Sequence, residues 1–202
     1  CTPFDLSSFH KLKAYGLELF KIASADFTNY ELLSEVAGHA KLMICSTGMS
    51  TESEIDSTTK YLKAVGANYI LLHCNSTYPT PDKDVNLLYL SNLKKYSRKG
   101  IVGYSGHERG WIIAASAVAL GAKLIEKHFT FNQSWEGNDH KVSLLPFEFK
   151  LMVESIRRIE NSLGTEGARQ ISQGELINRE NLAKSLVAKN AILKGNRITR
   201  ND

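Results

Sequence analysis

The sequence predicts an α/β fold in which helices alternate strictly with the strands of a parallel sheet. Five short runs are mostly apolar along their length, which is typical of parallel strands covered on both faces. A glycine lies between each run and the helical stretch before it, as a helix C-cap would. Polar residues follow at the carboxyl end of every run. The predicted strands are residues 20–24, 42–47, 69–74, 101–105 and 123–128, and the glycines are Gly16, Gly38, Gly66, Gly100 and Gly121.

The intervening segments carry helix signals of their own. Thr51 and Glu54 have capping-box spacing, and Asn86 is predicted to cap the following helix. Pro146 suits the first turn of a helix with one apolar face. The helix predicted at 111–120 is apolar nearly all round, so a partner subunit is one candidate to cover its outer face.

Two architectures fit this alternation. One is a complete open, doubly wound sheet, and the other is the later part of a (β/α)8 TIM-type barrel, about strands 3/4 to 8. A whole barrel needs about 250 residues, and a sixth strand could end at residues 1–4. In an open sheet, ligand groups gather only at the switch point, whereas a barrel brings every strand end to one mouth. Polar residues after all five strands favour the barrel.

Composition limits the classes of function. With 202 residues, 43% of them apolar, the chain can bury a full core, and no run of about 20 apolar residues predicts a membrane span. The net charge of +4 contains no run of five like charges, so an anionic small substrate fits better than nucleic acid. Cys45 and Cys74 lie inside apolar strands and lack Cys-x-x-Cys spacing, which predicts reduced residues of a cytoplasmic protein.

Two histidines follow neighbouring strands. A right-handed helical crossover between the strands would place His107 and His128 side by side at one end of the sheet. Two nitrogens are too few for a closed zinc site, but suit a six-coordinate Mn²⁺ or Mg²⁺ completed by water and substrate oxygen. Such an ion would act as a Lewis acid on a carbonyl. A separation above about 8 Å would contradict this hypothesis. His73, inside an apolar run, is expected to be a hydrogen-bonded core residue.

Lys21 lies within an otherwise apolar strand, where a positive charge is costly to bury. Together with the hydroxyl residues at the strand ends, it predicts a site for a phosphorylated anion. The alternative is that Lys21 extends to solvent and that the serines are turn residues.

Seven blocks of the sequence, in order, resemble the sialic acid synthase family. The similarity covers nearly the whole chain, and the blocks together are far more specific than any one of them. They are Cys-Thr-Pro-Phe-Asp at Cys1, Lys-Ile-Ala-Ser at Lys21, Ser-Thr-Gly-Met at Ser46, His-Cys-Asn-Ser-Thr-Tyr-Pro-Thr-Pro at His73, Gly-Tyr-Ser-Gly-His at Gly103, Glu-Lys-His-Phe-Thr at Glu126 and Gly-Asn-Asp-His-Lys at Gly137.

The resemblance implies a barrel followed by a small antifreeze-like (SAF) domain. We therefore expect a catalytic domain over 1–164, a linker over 165–182 and the beginning of the SAF domain over 183–202. The implied reaction condenses phosphoenolpyruvate with N-acetylmannosamine, its 6-phosphate or a related hexosamine to a nonulosonic acid and phosphate. The resemblance implies a homodimer for the full-length protein, and charge and hydropathy predict neither a nucleic acid nor a membrane partner.

The resemblance also implies roles for individual residues. His107 and His128 match metal ligands for Mn²⁺, with Mg²⁺ or Co²⁺ as alternatives. Ser76 and Asp26 depart from the residues common in the family, asparagine and glutamate, so the sugar subsite can differ in detail. The implied phosphoenolpyruvate site is Thr2, Lys21, Ser24, Ser46, Ser76 and Ser105, and the implied sugar contacts are Asp26, Tyr78 and Asp139. No general acid or base is assigned.

Two other functions stay open on the sequence. The chain could be a truncated, inactive barrel module with unpaired strand edges. It could also be a metal-free aldolase in which Lys21 forms a Schiff base.

Overall fold

A computed structural model describes all 202 residues, which form two compact units, 1–164 and 165–202. The first unit alternates helices and strands as predicted, and the second contains one helix. The elements of the first unit are α1 (Leu6–Ala14), β1 (Leu19–Ile22), α2 (Tyr30–Ala37), β2 (Leu42–Ser46), α3 (Glu52–Ala64), β3 (Tyr69–Cys74), α4 (Tyr89–Leu93), β4 (Val102–Gly106), α5 (Ile112–Ala119), β5 (Ile125–Lys127) and α6 (Pro146–Ser162); the helix of the second is α7 (Gln173–Leu182).

The five strands form one parallel sheet in the order β1-β2-β3-β4-β5. A doubly wound sheet reverses its strand order at a switch point, whereas a barrel adds each βα unit beside the one before. Sequential order therefore confirms the barrel-type arrangement and rules out the open doubly wound sheet. All five strands direct their carboxyl ends to the same edge.

The main core lies on the face of the sheet that the helices cover, whereas Lys21, Ser46 and Ser105 of the opposite face line a cavity, which the prediction of strands apolar on both faces did not foresee. Phe20 and Ile22 of β1 and Leu71 of β3 are fully buried, and α2 packs Leu33 against them. Cys45 and Cys74 are buried, free thiols.

Several element boundaries differ from the predictions. Residues 1–4 form no strand, although the carbonyl of Cys1 accepts a hydrogen bond of 2.8 Å from the Lys21 amide. Asn86 caps no helix: α4 begins at Tyr89, and Asn86 has a φ of 50°, a left-handed conformation that asparagine tolerates better than most residues. The stretch predicted as a linker includes α7, which opens with a capping box at Ser172.

The other helix signals are confirmed. Thr51 and Glu54 form a reciprocal capping box, and Pro146 is the first residue of α6. The apolar helix α5 packs against β4 and α6, yet Ile112 remains 73% exposed. No helix combines the length and apolarity that a membrane crossing requires.

Candidate active site at the carboxyl ends of the strands

A cavity of about 490 Å³ opens at the carboxyl ends of the strands. Ten of the eleven residues predicted for the site line it, so residues far apart in the sequence converge as expected. The predicted residues in its lining are Thr2, Lys21, Ser24, Ser46, Ser76, Tyr78, Ser105, His107, His128 and Asp139.

The twofold alternation of the strands explains which side chains face the cavity. Residues two apart on a strand point to the same face of the sheet. Ser105 and His107 therefore share the cavity side at β4, and Glu126 and His128 share it at β5.

The two histidine rings meet in this cavity. Their centroids are 5.1 Å apart with an interplanar angle of 75°, well inside the 8 Å limit expected for one shared ion. Tyr78 packs on both rings, and its ring centroid lies 4.1 Å from that of His107 and 5.6 Å from that of His128. No group of three or more His, Cys, Asp or Glu side chains forms a metal site from protein atoms alone.

The hydrogen bond of His107 identifies the tautomer of its neutral ring. Nδ1 of His107 lies 2.6 Å from the carbonyl oxygen of Asn75, and because a carbonyl can only accept, this nitrogen carries the proton. Nε2 of His107 is then left with its lone pair, the state a metal ligand needs. Nδ1 of His128 lies 3.8 Å from the carboxylate of Asp139.

Burial disfavours the charged form of both rings, but their other contacts shift the two pKa values in opposite directions. Burial lowers the pKa of His128, and the neighbouring His107 lowers it further. Burial also disfavours the charged form of His107, but hydrogen bonds to Cys74 and to the Asn75 carbonyl outweigh it, so the pKa of His107 lies above its ordinary value.

Serine hydroxyls form a cradle beside the rings. The Ser46 hydroxyl is buried and has no hydrogen-bond partner, which is costly unless a ligand supplies one. Gly48 donates its amide to the Ser24 hydroxyl at 3.1 Å. A Cβ on Gly48 would collide with the hydroxyl of Ser76 and lie 2.8 Å from that of Ser24, so only glycine allows these groups to converge.

Lys21 provides the positive charge of the cavity. Its side chain is 14% exposed, and its ammonium lies 3.7 Å from the Glu126 carboxylate and donates to the carbonyl of Ile22. Glu126 also accepts a 2.7 Å hydrogen bond from Ser105. The solvent-extended alternative for Lys21 is therefore wrong.

Two features of the site differ from the sequence predictions. Asp26 does not line the cavity, because its carboxylate is turned to the Asn29 side chain at 3.2 Å. Glu126 lines the cavity although no role was predicted for it; its position two residues before His128 is the signal that could have identified it. His73, as expected, is buried and hydrogen-bonded, to the carbonyl of Val85.

The chain matches a known protein family over most of its length. The NeuB family profile matches residues 1–168. Over 197 residues the chain is 45% identical to the N,N'-diacetyllegionaminic acid synthase of Campylobacter jejuni subsp. jejuni serotype O:2, covering 96% of this chain and 58% of that protein. It is 37% identical to the human N-acetylneuraminate-9-phosphate synthase, covering 93% of this chain and 52% of that enzyme.

A solved structure supports the same relationship. The N-acetylneuraminic acid synthetase of Leptospira borgpetersenii, solved with citrate, superposes with a TM-score of 0.80 at 36% identity, covering 91% of this chain and 65% of that one. The chain thus spans a little more than half the length of the two curated relatives.

Proposed function

Because the chain belongs to the NeuB family, we propose that it carries a site that condenses phosphoenolpyruvate with an N-acyl amino sugar to a nonulosonic acid and phosphate. The observation that carries this proposal is the convergence of His107 and His128 beside a lysine and serine cradle in one cavity. N-acetylmannosamine, its 6-phosphate or a related hexosamine is the proposed acceptor.

The donor set fits a divalent metal ion. Two imidazole nitrogens leave most positions of a six-coordinate ion to water and substrate oxygens. Mn²⁺ accepts this mixture of ligands, and Mg²⁺ or Co²⁺ could take its place. Bound there, the ion would supply Lewis acidity to the aldehyde of the sugar. His107 and His128 would hold it, and the Asn75 carbonyl would fix the orientation of His107.

The cradle suits phosphoenolpyruvate. We assign its anionic groups to Lys21 and to the hydroxyls of the serine cradle. The buried Ser46 hydroxyl lacks a hydrogen-bond partner, and Lys21 supplies positive charge. Glu126 orients both Lys21 and Ser105. The proposed phosphoenolpyruvate subsite is Thr2, Lys21, Ser24, Ser46, Ser76 and Ser105.

The sugar is assigned to the rim of the cavity. Tyr78 and Asp139 lie beside the histidines there, at 4.1 Å between the Tyr78 and His107 rings and 3.8 Å between Asp139 and His128. Asp26 is left out of the proposed subsite because its carboxylate bonds elsewhere.

In the proposed reaction, carbon 3 of phosphoenolpyruvate attacks the aldehyde carbon of the open-chain sugar. Water adds at carbon 2, and the tetrahedral intermediate expels phosphate with cleavage of the C–O bond. The residues of the cavity contribute by holding the two substrates in line and by stabilising charge.

Phosphate release from phosphoenolpyruvate tests this function. We expect release that requires both Mn²⁺ and N-acetylmannosamine or another hexosamine, and that falls at least 100-fold in Lys21→Met. If phosphoenolpyruvate and Mn²⁺ bind but no phosphate is released, the reaction needs groups outside these 202 residues. If neither ligand binds, the inactive-module alternative gains support.

The aldolase alternative predicts a different product. Borohydride treatment with pyruvate would leave a covalent adduct on Lys21 in a Schiff-base enzyme. We expect no adduct, because the Lys21 ammonium is engaged by the Ile22 carbonyl and the Glu126 carboxylate. A stoichiometric adduct identified on Lys21 by peptide mass would contradict the proposed function.

A further inference from the structure

A second charged cluster lies behind the two histidines and does not reach the cavity. It consists of Glu108, Lys127 and Tyr104, and neither member of the Glu108–Lys127 ion pair lines the cavity. Both side chains of the pair are 0% exposed. A buried ion pair often stabilises a fold no better than apolar residues of the same shape. A contribution to the stability of the fold therefore does not by itself explain why this pair is present.

Hydrogen bonds hold both members of the pair in place. The Lys127 ammonium donates to the Glu108 carboxylate at 3.1 Å and to the main-chain carbonyl of Glu108 at 2.5 Å. Tyr104 donates to the other carboxylate oxygen at 2.6 Å. A Cβ on Gly106 would lie 2.5 Å from that carboxylate, so the strand end is shaped around it.

The position of the pair connects it to the histidines. Glu108 follows His107 directly, and Lys127 precedes His128 directly. The ladder between β4 and β5 ends at the pair Gly106–Lys127, so both histidines lie beyond the last residues that the strand pairing fixes. The bonds of Lys127 to Glu108 are the hydrogen bonds that join the two chain segments past this point.

Other contacts hold each histidine to a different element. The carbonyl of His107 accepts from the Thr80 amide at 3.1 Å, and that of His128 accepts from the Leu144 amide at 2.8 Å. These bonds do not tie the two histidines to each other.

We propose that the buried Glu108–Lys127 ion pair is a positioning device that sets the separation of the His107 and His128 imidazoles, and through it the affinity of the site for a divalent cation. The inference rests on the proposed function for the metal, although the ring separation itself can be measured without metal. Because alternate residues face opposite sides of a strand, the pair acts through the backbone and never touches substrate.

The test removes both charges together, since removing one would leave the other buried and uncompensated. In Glu108→Gln/Lys127→Met the side-chain shapes are kept. We expect a folded protein by circular dichroism whose Mn²⁺ affinity, measured by the EPR signal of free Mn²⁺, is about 10- to 100-fold weaker. The single variant Lys127→Arg keeps the positive charge and should retain most of the wild-type affinity for Mn²⁺.

A matched control removes another ion pair. Glu18→Gln/Lys41→Met breaks a 2.6 Å exposed pair that joins the segments leading into β1 and β2, and should leave Mn²⁺ affinity within twofold. Should the buried double variant fail to fold, Glu108→Gln alone, which keeps the side-chain shape and one of the two acceptor oxygens, is expected to weaken Mn²⁺ binding about threefold or more.

A second readout separates this inference from the proposed function. Nuclear Overhauser contacts between the His107 and His128 ring protons, recorded without metal, should be present in the wild type and lost in the double variant. If the wild type binds no Mn²⁺ but shows the ring contacts, and the double variant loses them, the proposed function fails and the positioning role stands. A folded double variant with unchanged ring contacts and Mn²⁺ affinity within twofold of wild type would overturn the inference.

Discussion

Ser46 has a hydroxyl that the folded chain leaves without a hydrogen-bond partner, although the residue is only 2% exposed. Such a group reduces the stability of the protein because it has lost its water without gaining a partner. The next residue, Thr47, donates its hydroxyl to the Leu72 carbonyl at 3.0 Å. The contrast between these neighbours is what we expect where one residue serves a ligand and the other serves the fold.

Replacing Ser46 by alanine tests this contrast. We expect Ser46→Ala to leave the free energy of unfolding unchanged or raise it by about 1 kcal/mol, since the unpaired hydroxyl is removed. Phosphoenolpyruvate binding, measured by calorimetry, should weaken about tenfold.

The matched variant is Thr47→Val, which removes a satisfied hydroxyl. It should lower the free energy of unfolding by about 1 kcal/mol and leave phosphoenolpyruvate binding nearly unchanged. If Ser46→Ala is destabilising and binds phosphoenolpyruvate as the wild type does, the ligand assignment of Ser46 is wrong.

At the scale of elements, the sequence predicted the positions of the strands well and the side-chain contacts between neighbouring strands poorly. Apolar runs after helix-ending glycines located all five strands, because a parallel strand buried on both faces needs that composition. The convergence of His107 and His128 followed from strand order alone. The Glu108–Lys127 pair and the role of Glu126 were missed, because they depend on the register between β4 and β5, which composition does not encode.

The residues at which some elements begin and end could also not be predicted from local sequence signals. Asn86 has the residue type of a cap, yet the 82–86 segment packs against β3, where His73 binds the carbonyl of Val85 at 2.7 Å. Tertiary contacts of this kind override local preference.

The contact between β3 and this segment predicts a dependence of stability on pH. Burial lowers the pKa of His73 below its ordinary value of 6.5. As the pH falls below 6.5 the unfolded chain binds a proton that the folded chain does not, so the free energy of unfolding decreases until the lowered folded pKa is reached.

We expect His73→Gln, whose amide can donate to the same carbonyl, to differ from the wild type by about 1 kcal/mol or less at pH 7.5. Urea unfolding at pH 7.5 and pH 5.5 should show a smaller loss of stability in the variant than in the wild type. An equal loss in both proteins would mean that His73 does not contribute to the pH dependence.

At the scale of the whole molecule, the cavity belongs to one unit. Every residue that lines it lies within 1–164. We therefore expect a chain ending at Gly164 to bind Mn²⁺ and phosphoenolpyruvate within about threefold of the 202-residue chain, because each docking group is retained. Loss of either binding in a truncated protein that is folded by circular dichroism would show that residues 165–202 contribute to the site. The identity of 183–202 as the beginning of a SAF domain stays a prediction.

His107 and His128 are proposed to hold one divalent cation between them. The most direct measurement is the EPR spectrum of Mn²⁺ titrated into the wild type, His107→Ala, His128→Ala and the control His140→Ala, a histidine that bonds Thr130 and does not line the cavity. We expect one bound Mn²⁺ per chain in the wild type and the control, and at least 100-fold weaker binding in each of the other two variants. Equal Mn²⁺ binding in all four proteins, or none in the wild type, would contradict the proposal.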